Sequence, residues 1–589
     1  MLERKWQILP DAPAAFYEEH PELPPVVARL LYHRNLRTQS AIDEFLNPEY
    51  SQHVHDPWLF HDMTKAVERI FTAGEKKEKI TIHGDYDADG VSASVILSSL
   101  FKALDITHDV FLPHRETDGY GLNERTVRLL HEQGTKVIIT CDCGISNGPE
   151  IEAANQLGID VIVTDHHSIP AVLPRAFAII HPKISGEPYP DKNLAGGGVA
   201  FKLAQAMLRK HQETNAQLPN GESHEAFEKW LLDMVAIASV ADMVPLIGES
   251  RTLTKYGLIV LNKTKRIGLQ KLLLEARLIN TDGSSRREIS ADTIGFQIAP
   301  RINAAGRMNH ANVAYNLLIT DDPIEATDLA YELNQNNLER QKLTDTIVSE
   351  AVAQVERDQK QSPVIFAIGT DWPIGIVGLI ASRLKEKYQK PAIVMSRKDQ
   401  ITGSGRSVAP FDMIGALQEM PEFFAKFGGH PMACGFTLKD ADCLGDFQMA
   451  LSKIFLAKTA ELDLSPIIAI DAAIELEDVD WDLYDILDKF KPFGQGNAKP
   501  RYVAYGLTVV DLEPVGADGK HLRILVKHQT PKIKKTIGWN LCRNNGNGVN
   551  WGQALKIGEK IDMIFEIDVN EWNGNRELQL TIVDLKKFK

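Results

Sequence analysis

The central part of the chain alternates between short apolar runs and longer stretches with helical spacing of apolar residues. Between Lys79 and about Thr320 the short runs include residues 80–82, 136–140 and 160–164, which are rich in isoleucine, valine and threonine. Short continuous runs of this kind are typical of strands buried on both faces, and their alternation with helices predicts a parallel sheet with crossover helices. We therefore expect an α/β domain here.

Two further patterns flank this domain. Residues 1–75 show helical stretches interrupted by proline, and we expect this segment to pack on the α/β domain. From 324 to 358 the apolar residues keep helical spacing without glycine or proline, which predicts one long connecting helix. Another apolar run begins at Val364 and is followed by glycine-rich turns, so a second lobe is expected after the helix.

After residue 493 the pattern changes to short alternating strands. These cover 502–510, 522–526, 561–569 and 578–583. Asp518-Gly519 and Asn573-Gly574 are dipeptides typical of hairpin turns, and several such strands within about 100 residues predict a small β-barrel. Trp539 and Trp572 are candidates for stacking on nucleobases, although an aromatic residue in a small barrel more often belongs to its core.

The segment that directly follows the first predicted strand carries the most informative chemistry. Residues 83–90 are His-Gly-Asp-Tyr-Asp-Ala-Asp-Gly, so three carboxylates and an imidazole lie within eight residues. Carboxylates this close repel one another unless cations neutralise them, which favours a metal site. An EF-hand calcium loop requires a glutamate at its twelfth position, which here is Ile96. A turn that caps the next helix is the alternative, although one aspartate is sufficient for a cap.

Two later strands end in residues of the same chemical type. The run 136–140 leads to Asp142, and the run 160–164 leads to Asp165-His166-His167. Because the carboxyl ends of parallel strands meet at one edge of an open sheet, we expect these segments to converge. Asp242, at the end of a long apolar stretch, is a further candidate. Carboxylate and imidazole ligands favour Mn²⁺ or Mg²⁺, and two such ions about 3.5–4 Å apart can promote phosphodiester hydrolysis.

These segments resemble the four motifs of the DHH phosphoesterase superfamily. Within that superfamily the chain is similar to the single-strand-specific 5′ to 3′ DNA exonucleases, because further stretches match in order along nearly the whole chain. They are residues 113–115, 119–123, 194–201, 299–307, 372–378, 403–407, 428–430 and 492–497. Two features depart from the pattern: cysteines flank Asp142, and Gly197 stands where an apolar residue is expected. Neither departure removes a candidate ligand.

The resemblance implies an α/β protein with three folded domains. A DHH parallel-sheet domain would be joined by the long helix to an α/β domain of the DHHA1 type, and a β-barrel of the OB-fold type would follow. The expected boundaries are 1–75 for the N-terminal segment, 76–322 for the DHH domain, 323–360 for the connecting helix, 361–465 for the DHHA1 domain and 466–589 for the barrel, which would bind single strands.

The resemblance also implies a set of ligands for two metal ions. That set consists of His83, Asp87, Asp89, Asp142, His166 and Asp242. His83 and Asp87 would hold one ion. Asp89, His166 and Asp242 would hold the other, and Asp142 would bridge the two ions. Asp85 would make a weaker contact or support the ligands without being required as one.

Further residues of the resembled family act in catalysis. Besides the bridging Asp142, these would be Asp165, His167 and Arg301. Asp165 would orient an imidazole, His167 would face the scissile phosphate, and Arg301 would contact the scissile region together with Arg115. Arginine is suited to that role because its guanidinium group forms a bidentate fork.

The remaining substrate-binding residues that the resemblance implies lie later in the chain. Ser404 and Arg406 would bind the terminal 5′ phosphate from a glycine-flanked loop, whose backbone amides can approach an anion. Arg307 would contact the substrate or brace its own loop, and His430 would be a further substrate contact.

The activity implied by the resemblance is metal-dependent hydrolysis of single-stranded DNA from its 5′ end to 5′-mononucleotides, in DNA repair and recombination. One alternative is a DHH phosphodiesterase for short oligonucleotides or cyclic dinucleotides, which the predicted barrel argues against. The other is a non-catalytic single-strand-binding scaffold, which the complete ligand set argues against. A single-strand-binding protein and a RecQ-type helicase are partners implied by the resemblance alone, and a monomer is expected.

The composition is that of a large cytoplasmic enzyme. The chain has 589 residues, of which 44% are hydrophobic, and its five cysteines are too few for a disulfide framework. The first residues lack the apolar region of a signal peptide, and no apolar run approaches the length of about 18 residues that a membrane span needs. We therefore expect neither secretion nor membrane insertion.

The charge distribution adds a candidate DNA-binding surface. A net charge of −14 is unusual for a nucleic-acid enzyme, since contacts with phosphate require lysine and arginine. Residues 520–550 nevertheless contain seven lysines and arginines and no acidic residue. This segment predicts a cationic surface within an acidic chain, and an ordinary solvated strand face is the alternative.

Overall fold

The computed structural model describes residues 4–543, 549–572 and 575–588. They form two compact units. The first unit comprises Pro48–Asp345 and Pro492–Ala498, and the second comprises the residues up to Asn47, Thr346–Lys491 and the residues from Lys499 on. The predicted turn at Asn573-Gly574 lies outside the described residues, as does the side chain of Trp572.

The elements of the described residues are numbered in chain order. The strands are β1 (Lys5–Ile8), β2 (Lys79–His83), β3 (His108–Phe111), β4 (Thr135–Cys141), β5 (Asp160–Thr164), β6 (Ala178–Ile180), β7 (Ile365–Thr370), β8 (Ala392–Arg397), β9 (Ile401–Arg406), β10 (Phe424–His430), β11 (Ala433–Leu438), β12 (Ile467–Ile470), β13 (Ala472–Ala473), β14 (Tyr502–Val515), β15 (His521–Lys527), β16 (Lys534–Gly538), β17 (Lys560–Trp572) and β18 (Asn575–Lys587). The α-helices are α1 (Ala14–Glu19), α2 (Pro25–His33), α3 (Gln39–Leu46), α4 (Tyr50–His53), α5 (Met63–Glu75), α6 (Ala88–Ala103), α7 (Glu124–Glu132), α8 (Gly148–Gln156), α9 (Gly196–Gln212), α10 (His224–Trp230), α11 (Leu232–Ala241), α12 (Gly248–Leu261), α13 (Ile267–Glu275), α14 (Ala291–Thr293), α15 (Ala299–Met308), α16 (Asn312–Ile319), α17 (Pro323–Asp358), α18 (Ile374–Tyr388), α19 (Met413–Gln418), α20 (Leu444–Thr459), α21 (Trp481–Asp488) and α22 (Trp551–Ala554).

The first unit is built on a parallel sheet with the strand order β3-β2-β4-β5-β6. Alternate residues of its strands belong to different buried clusters. Ile139 of β4 shares a cluster with residues of α6 and α9, whereas Ile138 shares one with residues of α7 and α8. Helices therefore cover both faces, which explains why the strands are continuous apolar runs. The predicted α/β sheet is confirmed.

The long helix α17 follows the first unit's sheet and ends in the second unit. Its bounds, Pro323–Asp358, agree within one residue with the helix expected at 324–358. The second unit then contains a sheet with the order β10-β11-β9-β8-β7, in which only the pair β7 and β8 is parallel. This mixed sheet with α18 and α20 is the expected second α/β lobe.

The C-terminal strands close into a barrel. β14 pairs with β15, β15 with β16, β16 with β18, β18 with β17, and β17 returns to β14. A closed ring of five strands is the architecture of an OB-fold. Its interior contains buried apolar residues such as Leu507, Ile524, Met563 and Phe565. Val503 of β14 packs instead with Ile468 and Ile470 of β12 in a separate buried cluster. The predicted barrel is confirmed.

The N-terminal segment is divided between the two units. β1 pairs in parallel with β12, with Lys5 opposite Ile467, and the indole nitrogen of Trp6 donates to Asp584 Oδ2 at 2.7 Å. These contacts hold the residues up to Asn47 in the second unit, whereas residues from Pro48 on belong to the first. We had expected residues 1–75 to pack as one helical segment on the α/β domain. The pattern missed β1 because a four-residue strand has no diagnostic periodicity.

All five cysteines are unpaired thiols. In the part of the chain that the structure describes, no helix has the combination of length and apolar character that crossing a membrane requires.

A buried ion pair joins helices α9 and α12 of the first unit. Lys202 of α9 and Glu249 of α12 lie 2.5 Å apart, and neither side chain is exposed to solvent. Tyr189 donates its hydroxyl to the second oxygen of Glu249 at 2.5 Å, and Lys202 also donates to the carbonyl of His55 at 2.9 Å. Each charged group is therefore satisfied by its neighbours.

We predict that Lys202→Met lowers the free energy of unfolding by about 3–5 kcal/mol, because it leaves Glu249 buried without its cation. Urea denaturation followed by tryptophan fluorescence measures the change. Lys210→Met, which removes an exposed lysine of the same helix, is the matched control and should leave stability unchanged. Equal stability of the two variants would contradict the prediction.

Candidate metal centre

The register of the parallel sheet brings three strand ends together. β2, β4 and β5 are adjacent, with His83 beside Thr140 and Cys141 beside Thr164. The residues that follow these strands therefore emerge at one edge of the sheet, as the sequence predicted.

The acidic loop after β2 continues directly into α6. Asp87 caps this helix, since its Oδ1 accepts hydrogen bonds from the amides of Asp89 at 2.9 Å and Gly90 at 3.1 Å. The amide of Ala88 donates to the side chain of Asn303 at 2.8 Å. Asp87 therefore caps the helix, as the alternative interpretation of this loop predicts. The other oxygen of Asp87 and the remaining carboxylates are not needed for the cap and are available to bind a metal ion.

The carboxylate of Asp89 is held by the first turn of α9. Its Oδ2 accepts from the amide of Gly196 at 2.8 Å, and its Oδ1 accepts from the amide of Gly197 at 2.7 Å. A Cβ built on Gly197 would lie 2.5 Å from the Cβ of Ala238. Glycine is therefore required at 197, where we had expected an apolar residue, because two helices approach closely there.

Asp142 has an unusual backbone conformation. Its φ of +62° lies in the left-handed region, which costs a non-glycine residue about 1–3 kcal/mol. Its amide donates to the carbonyl of Thr164 at 3.0 Å, and a Cβ built on Gly196 would lie 2.5 Å from the Cβ of Asp142. The neighbouring strand and helix thus hold this side chain in one place.

Asp165 orients the two histidines that follow it. Its Oδ1 accepts from the amides of His166 at 2.7 Å and His167 at 3.2 Å, and it lies 2.8 Å from Nδ1 of His167. Burial raises the pKa of Asp165, but the hydrogen bond and charge of His167 lower it to about 2. Burial lowers the pKa of His167, but the hydrogen bond and charge of Asp165 raise it to about 9. His167 is therefore a cation at neutral pH.

His166 remains neutral and lies among three carboxylates. Burial and the charge of His167 lower the pKa of His166 to about 3. Its Nε2 lies 3.1 Å from Asp142 Oδ1, 3.5 Å from Asp242 Oδ2 and 3.6 Å from Asp89 Oδ2. A neutral imidazole nitrogen with a free lone pair among carboxylate oxygens is a suitable ligand for a cation.

The candidate ligands form two groups that meet at Asp142. In one group, ligand atoms of Asp89, His166 and Asp242 all lie within 4.8 Å of one another. In the other, the same holds for Asp85, Asp87 and Asp142. Asp142 is also grouped with His166 and His167, and its Oδ1 lies 3.1 Å from His166 Nε2. It therefore occupies the position between the first two groups that a bridging ligand needs.

The electrostatics of the cluster favour bound cations. Burial raises the pKa of Asp85, Asp89 and Asp142 well above the usual range, and neighbouring carboxylates raise it further. Burial and the charge of Asp87 raise the pKa of Asp242 to about 7. Carboxylates that repel one another in this way are stabilised when divalent ions lie between them.

Unpaired buried atoms support the same conclusion. Within the described residues of the cluster, His83 Nε2, Asp85 Oδ1, Asp142 Oδ1 and both ring nitrogens of His166 are buried without a hydrogen-bond partner. Buried polar atoms are normally paired, so these side chains are candidates for metal coordination. In the part of the chain that the structure describes, the groups of potential ligand atoms at this edge of the sheet contain carboxylate oxygens and imidazole nitrogens and no thiol. Such a set fits Mn²⁺ or Mg²⁺.

The geometry makes Asp85 a stronger candidate ligand, and His83 a weaker one, than the resemblance implies. Asp85, which the resemblance does not require as a ligand, is grouped with Asp87 and Asp142. His83 belongs to none of the groups, although its Nε2 is buried and unpaired within the described structure. Burial lowers the pKa of His83 to about 4, so it is neutral and able to coordinate. The division of ligands between two ions stays a prediction.

Two of the predicted arginines lie close to Tyr86 in the acidic loop. The guanidinium of Arg115 lies 4.0 Å from the ring centroid of Tyr86, and its Nε donates to the carbonyl of Gly306 at 3.3 Å. The charge of Arg307 also acts on the hydroxyl of Tyr86, whose pKa is raised to about 12 mainly by burial. Arg115 is thus held beside the cluster by stacking and by one hydrogen bond.

Arg301 is engaged with the helical turn that precedes α15 and with α17. Its Nη1 donates to the carbonyl of Gln297 at 2.7 Å and its Nε to Asn334 Oδ1 at 3.1 Å. No hydrogen bond or ion pair described for Arg301 reaches the carboxylate cluster. Its predicted contact with the scissile region stays a prediction.

The second unit brings Ser404, Arg406 and His430 to one end of its sheet. Arg406 Nη1 donates to Ser404 Oγ at 2.9 Å, and Arg406 and His430 both pair with Ala433 from opposite sides. The expected glycine-flanked loop is in fact strand β9, in which Ser404 and Arg406 share a face. Glycine is needed at 403 because a Cβ there would lie 2.5 Å from the ring of Phe436, and not to expose amides to a ligand.

Three residues near the cluster were missed by the sequence interpretation. Asn303 accepts from Ala88 at the start of α6, Lys183 donates its ammonium to the carbonyl of His166, and Tyr120 contacts Asp142 and His167. Tyr120 and Asn303 lie in the stretches 119–123 and 299–307, which match the resembled family, but the match assigns no function to either residue. Nothing in the local pattern distinguishes Lys183 from any surface lysine.

The sheet, the convergent strand ends and the carboxylate and histidine cluster define a protein of the DHH class of phosphoesterases. The family model described as "DHH family, N-terminal domain" matches residues 79–239, "DHHA1 domain" matches 360–457 and "RecJ OB domain" matches 470–584. The three models follow the order of the sheet, the second lobe and the barrel.

Relatives match along almost the whole chain. The single-stranded-DNA-specific exonuclease RecJ of Bacillus subtilis is 35% identical over 569 residues, which cover 96% of this chain and 68% of that protein. The RecJ of Escherichia coli is 32% identical over 583 residues, covering 95% and 96%. The chain belongs to the RecJ family.

Solved structures agree with this assignment. The crystal structure of RecJ from Thermus thermophilus in complex with Mn²⁺ has a TM-score of 0.81 at 26% identity, covering 99% of this chain and 80% of that one. The same protein in complex with Mg²⁺ has a TM-score of 0.75 at 24% identity, covering 99% and 79%, which is a likeness in fold.

We predict that Mn²⁺ raises the melting temperature of the metal-free protein by at least about 5 °C, since a ligand that binds only the folded state stabilises it. In Asp142→Asn this shift should be largely lost. The metal-free variant itself should melt no lower than the metal-free wild type, because one of the repelling carboxylates is gone and asparagine tolerates the left-handed conformation. Thermal melting with and without EDTA measures both effects.

Asp105→Asn is the matched control for this experiment. Asp105 also has a left-handed φ, of +56°, but it is exposed and lies outside the cluster. Its Mn²⁺ shift should equal that of the wild type. A full Mn²⁺ shift in Asp142→Asn would show that this carboxylate is not part of a metal centre.

Proposed function

We propose that this chain is a metal-dependent exonuclease that degrades single-stranded DNA from the 5′ end and releases 5′-mononucleotides, in DNA repair and recombination. The observation that carries the proposal is the intact cluster of two ligand groups meeting at Asp142. Membership of the RecJ family supports the substrate, because the relatives of B. subtilis and E. coli are named single-stranded-DNA-specific exonucleases. A scaffold without activity has no need of such a strained and self-repelling cluster.

The proposed cofactors are two Mn²⁺ or Mg²⁺ ions. Asp87 with His83 or Asp85 would hold one ion, and Asp142 would lie between it and the three residues of the other group. Bound there, the ions would supply a hydroxide nucleophile from water and stabilise negative charge on the leaving 3′ oxygen. The support from this chain is the set of buried, unpaired ligand atoms, together with ligand groups that consist of carboxylates and imidazoles.

The chain's own residues would bind and polarise the scissile phosphate. His167 carries a proton on Nδ1 toward Asp165 and is cationic at neutral pH, so its Nε2–H is able to donate to a phosphate oxygen. Arg115, which is stacked on Tyr86, would supply a second cation. Both side chains are already oriented by neighbours, so less conformational entropy is lost when substrate binds.

The 5′ polarity would come from recognition of the terminal phosphate. Ser404 and Arg406 share one face of β9, and Arg406 is half-buried, so that burial lowers its pKa. A guanidinium and a hydroxyl at hydrogen-bond distance form a compact anion site. We assign the terminal phosphate to this pair, with His430 at the same end of the sheet.

The barrel would bind the rest of the strand, although it is less cationic than its sequence indicated. Carboxylates lie within salt-bridge distance of four of its basic residues: Lys520, Arg523, Lys535 and Arg543. Trp539 is 56% exposed and contacts His521 edge to face, so it is not a core residue and is free to stack on a base. Exposed ion pairs are weak, so phosphates are able to replace their carboxylates.

The biological setting is part of the same proposal. Cytoplasmic residence, a monomeric state, and cooperation with a single-strand-binding protein and a RecQ-type helicase rest on the family resemblance. The unpaired state of the five cysteines is compatible with a reducing compartment.

We predict that single-stranded DNA labelled at its 5′ end releases a labelled mononucleotide from the earliest time points, in a reaction that requires Mn²⁺ or Mg²⁺. The same strand labelled at its 3′ end should shorten progressively. Gel electrophoresis and thin-layer chromatography of the products measure both. Degradation from the 3′ end, or cleavage of dinucleotides alone, would support a different phosphodiesterase.

We also predict that Lys527→Gln with Lys532→Gln weakens DNA binding by the barrel. Both lysines are exposed, and within the described residues no carboxylate lies within salt-bridge distance of either. Each phosphate contact with a single strand contributes about −0.7 to the slope of log K against log salt, so the magnitude of this negative slope should decrease by about 1.4.

Fluorescence anisotropy of labelled single strands across a salt series measures this slope. Lys76→Gln with Lys77→Gln removes the same charge at the end of α5 and serves as the matched control. If both double variants change the slope equally, the effect belongs to net charge and not to a surface on the barrel.

A further inference from the structure

The loop between β3 and α7 reaches the metal centre through one tyrosine hydroxyl. Tyr120 Oη donates to the backbone carbonyl of Asp142 at 3.0 Å and lies 3.0 Å from Nδ1 of His167. Asp142 lies between the two ligand groups, and His167 is the cation proposed to bind phosphate.

The hydrogen bonds around His167 determine the direction of each proton. Asp165 is a carboxylate that only accepts, so the proton on Nδ1 of His167 points to Asp165 Oδ1 at 2.8 Å. Tyr120 Oη therefore faces an N–H group and acts there as an acceptor. Its own proton is then directed to the carbonyl of Asp142.

The contact with Asp142 falls where the backbone is strained. With φ at +62°, this peptide would relax if nothing held it. Its amide is fixed by Thr164 at 3.0 Å, and its carbonyl is fixed by Tyr120. The two hydrogen bonds hold the residue on both sides of its Cα, and hence fix the direction of the carboxylate.

Tyr120 is itself delivered by a well-defined turn. Gly119 and Gly121 on either side of it have φ values of +80° and +74°. A Cβ built on Gly121 would lie 2.5 Å from Oδ1 of Asn147, and Asn147 Nδ2 donates to the carbonyl of Leu122 at 3.0 Å. The turn thus packs against and hydrogen-bonds to the loop that precedes α8, and this contact places the Tyr120 hydroxyl beside the cluster.

We propose that Tyr120 is a positioning residue, whose hydroxyl holds the strained peptide of Asp142 and the ring of His167 in the arrangement that metal binding and phosphate contact require. The inference rests on the proposed function for its kinetic consequences, but its effect on metal affinity does not depend on nuclease activity. Partners that orient ligands from outside the coordination sphere typically change metal affinity about 10–100-fold.

The test is Tyr120→Phe, which removes the hydroxyl and keeps the ring. Tyr120 is 44% exposed, so the variant is expected to fold and to keep its melting temperature. Calorimetric titration of the metal-free protein should show Mn²⁺ binding weakened about 10-fold or more. At saturating Mn²⁺, kcat should fall about 10-fold or more while KM for single-stranded DNA stays within about twofold, since the ring remains.

Two further variants complete the experiment. Tyr388→Phe removes a hydroxyl that donates to Glu356 at 2.9 Å on another surface, and it should leave Mn²⁺ affinity and kcat unchanged. Tyr120→Leu should weaken Mn²⁺ binding to the same extent as Tyr120→Phe. A much larger loss in Tyr120→Leu would assign the positioning to the ring and overturn the proposal.

Other results would also overturn it. If Tyr120→Phe leaves the Mn²⁺ affinity unchanged and raises KM, the hydroxyl contacts DNA. If Mn²⁺ affinity, kcat and KM are all unchanged, the hydroxyl does not position the centre. If the wild type lacks nuclease activity, the proposed function fails, while the titration still decides whether Tyr120 positions the centre.

Discussion

The repulsion among buried carboxylates at one edge of the parallel sheet is the constraint on which the rest of this structure depends. Burial raises the pKa of Asp85, Asp89 and Asp142 well above the usual range, and neighbouring carboxylates raise it further. Such a cluster is tolerable only if the fold compensates it or cations neutralise it. The scaffold does the first in part, through amides of α9 on Asp89 and through the cap made by Asp87.

The same constraint explains several features that otherwise look unrelated. The first turn of α9 consists of glycines because its amides must reach Asp89 while the helix lies against Asp142 and Ala238. Asp165 holds His167 as a cation, which adds a positive charge beside the cluster. Burial keeps His166 neutral, so its nitrogen is available to a metal ion and not to a proton. Each feature adjusts charge at the same sheet edge.

The sequence predicted the parts of the site that follow from strand geometry. Asp142 and Asp165 to His167 each follow an apolar run, and parallel strands necessarily bring such residues to one edge. The resemblance placed His83 above Asp85 as a ligand, and the sequence pattern could not show that Asp85 is grouped with Asp87 and Asp142, because the position of Asp85 depends on the path of a short loop. Nor could it show that Ser404 lies on a strand, or that β1 pairs with β12 more than 450 residues away, since both depend on tertiary contacts.

The central claim is that this sheet edge holds two divalent ions joined by Asp142. Electron paramagnetic resonance of the metal-free protein loaded with Mn²⁺ tests it most directly, together with a count of bound ions per chain. We predict two ions per chain and the spectrum of an exchange-coupled pair, since ions sharing one carboxylate lie about 3.5–4 Å apart. A single bound ion, or two ions with uncoupled spectra, would contradict this account.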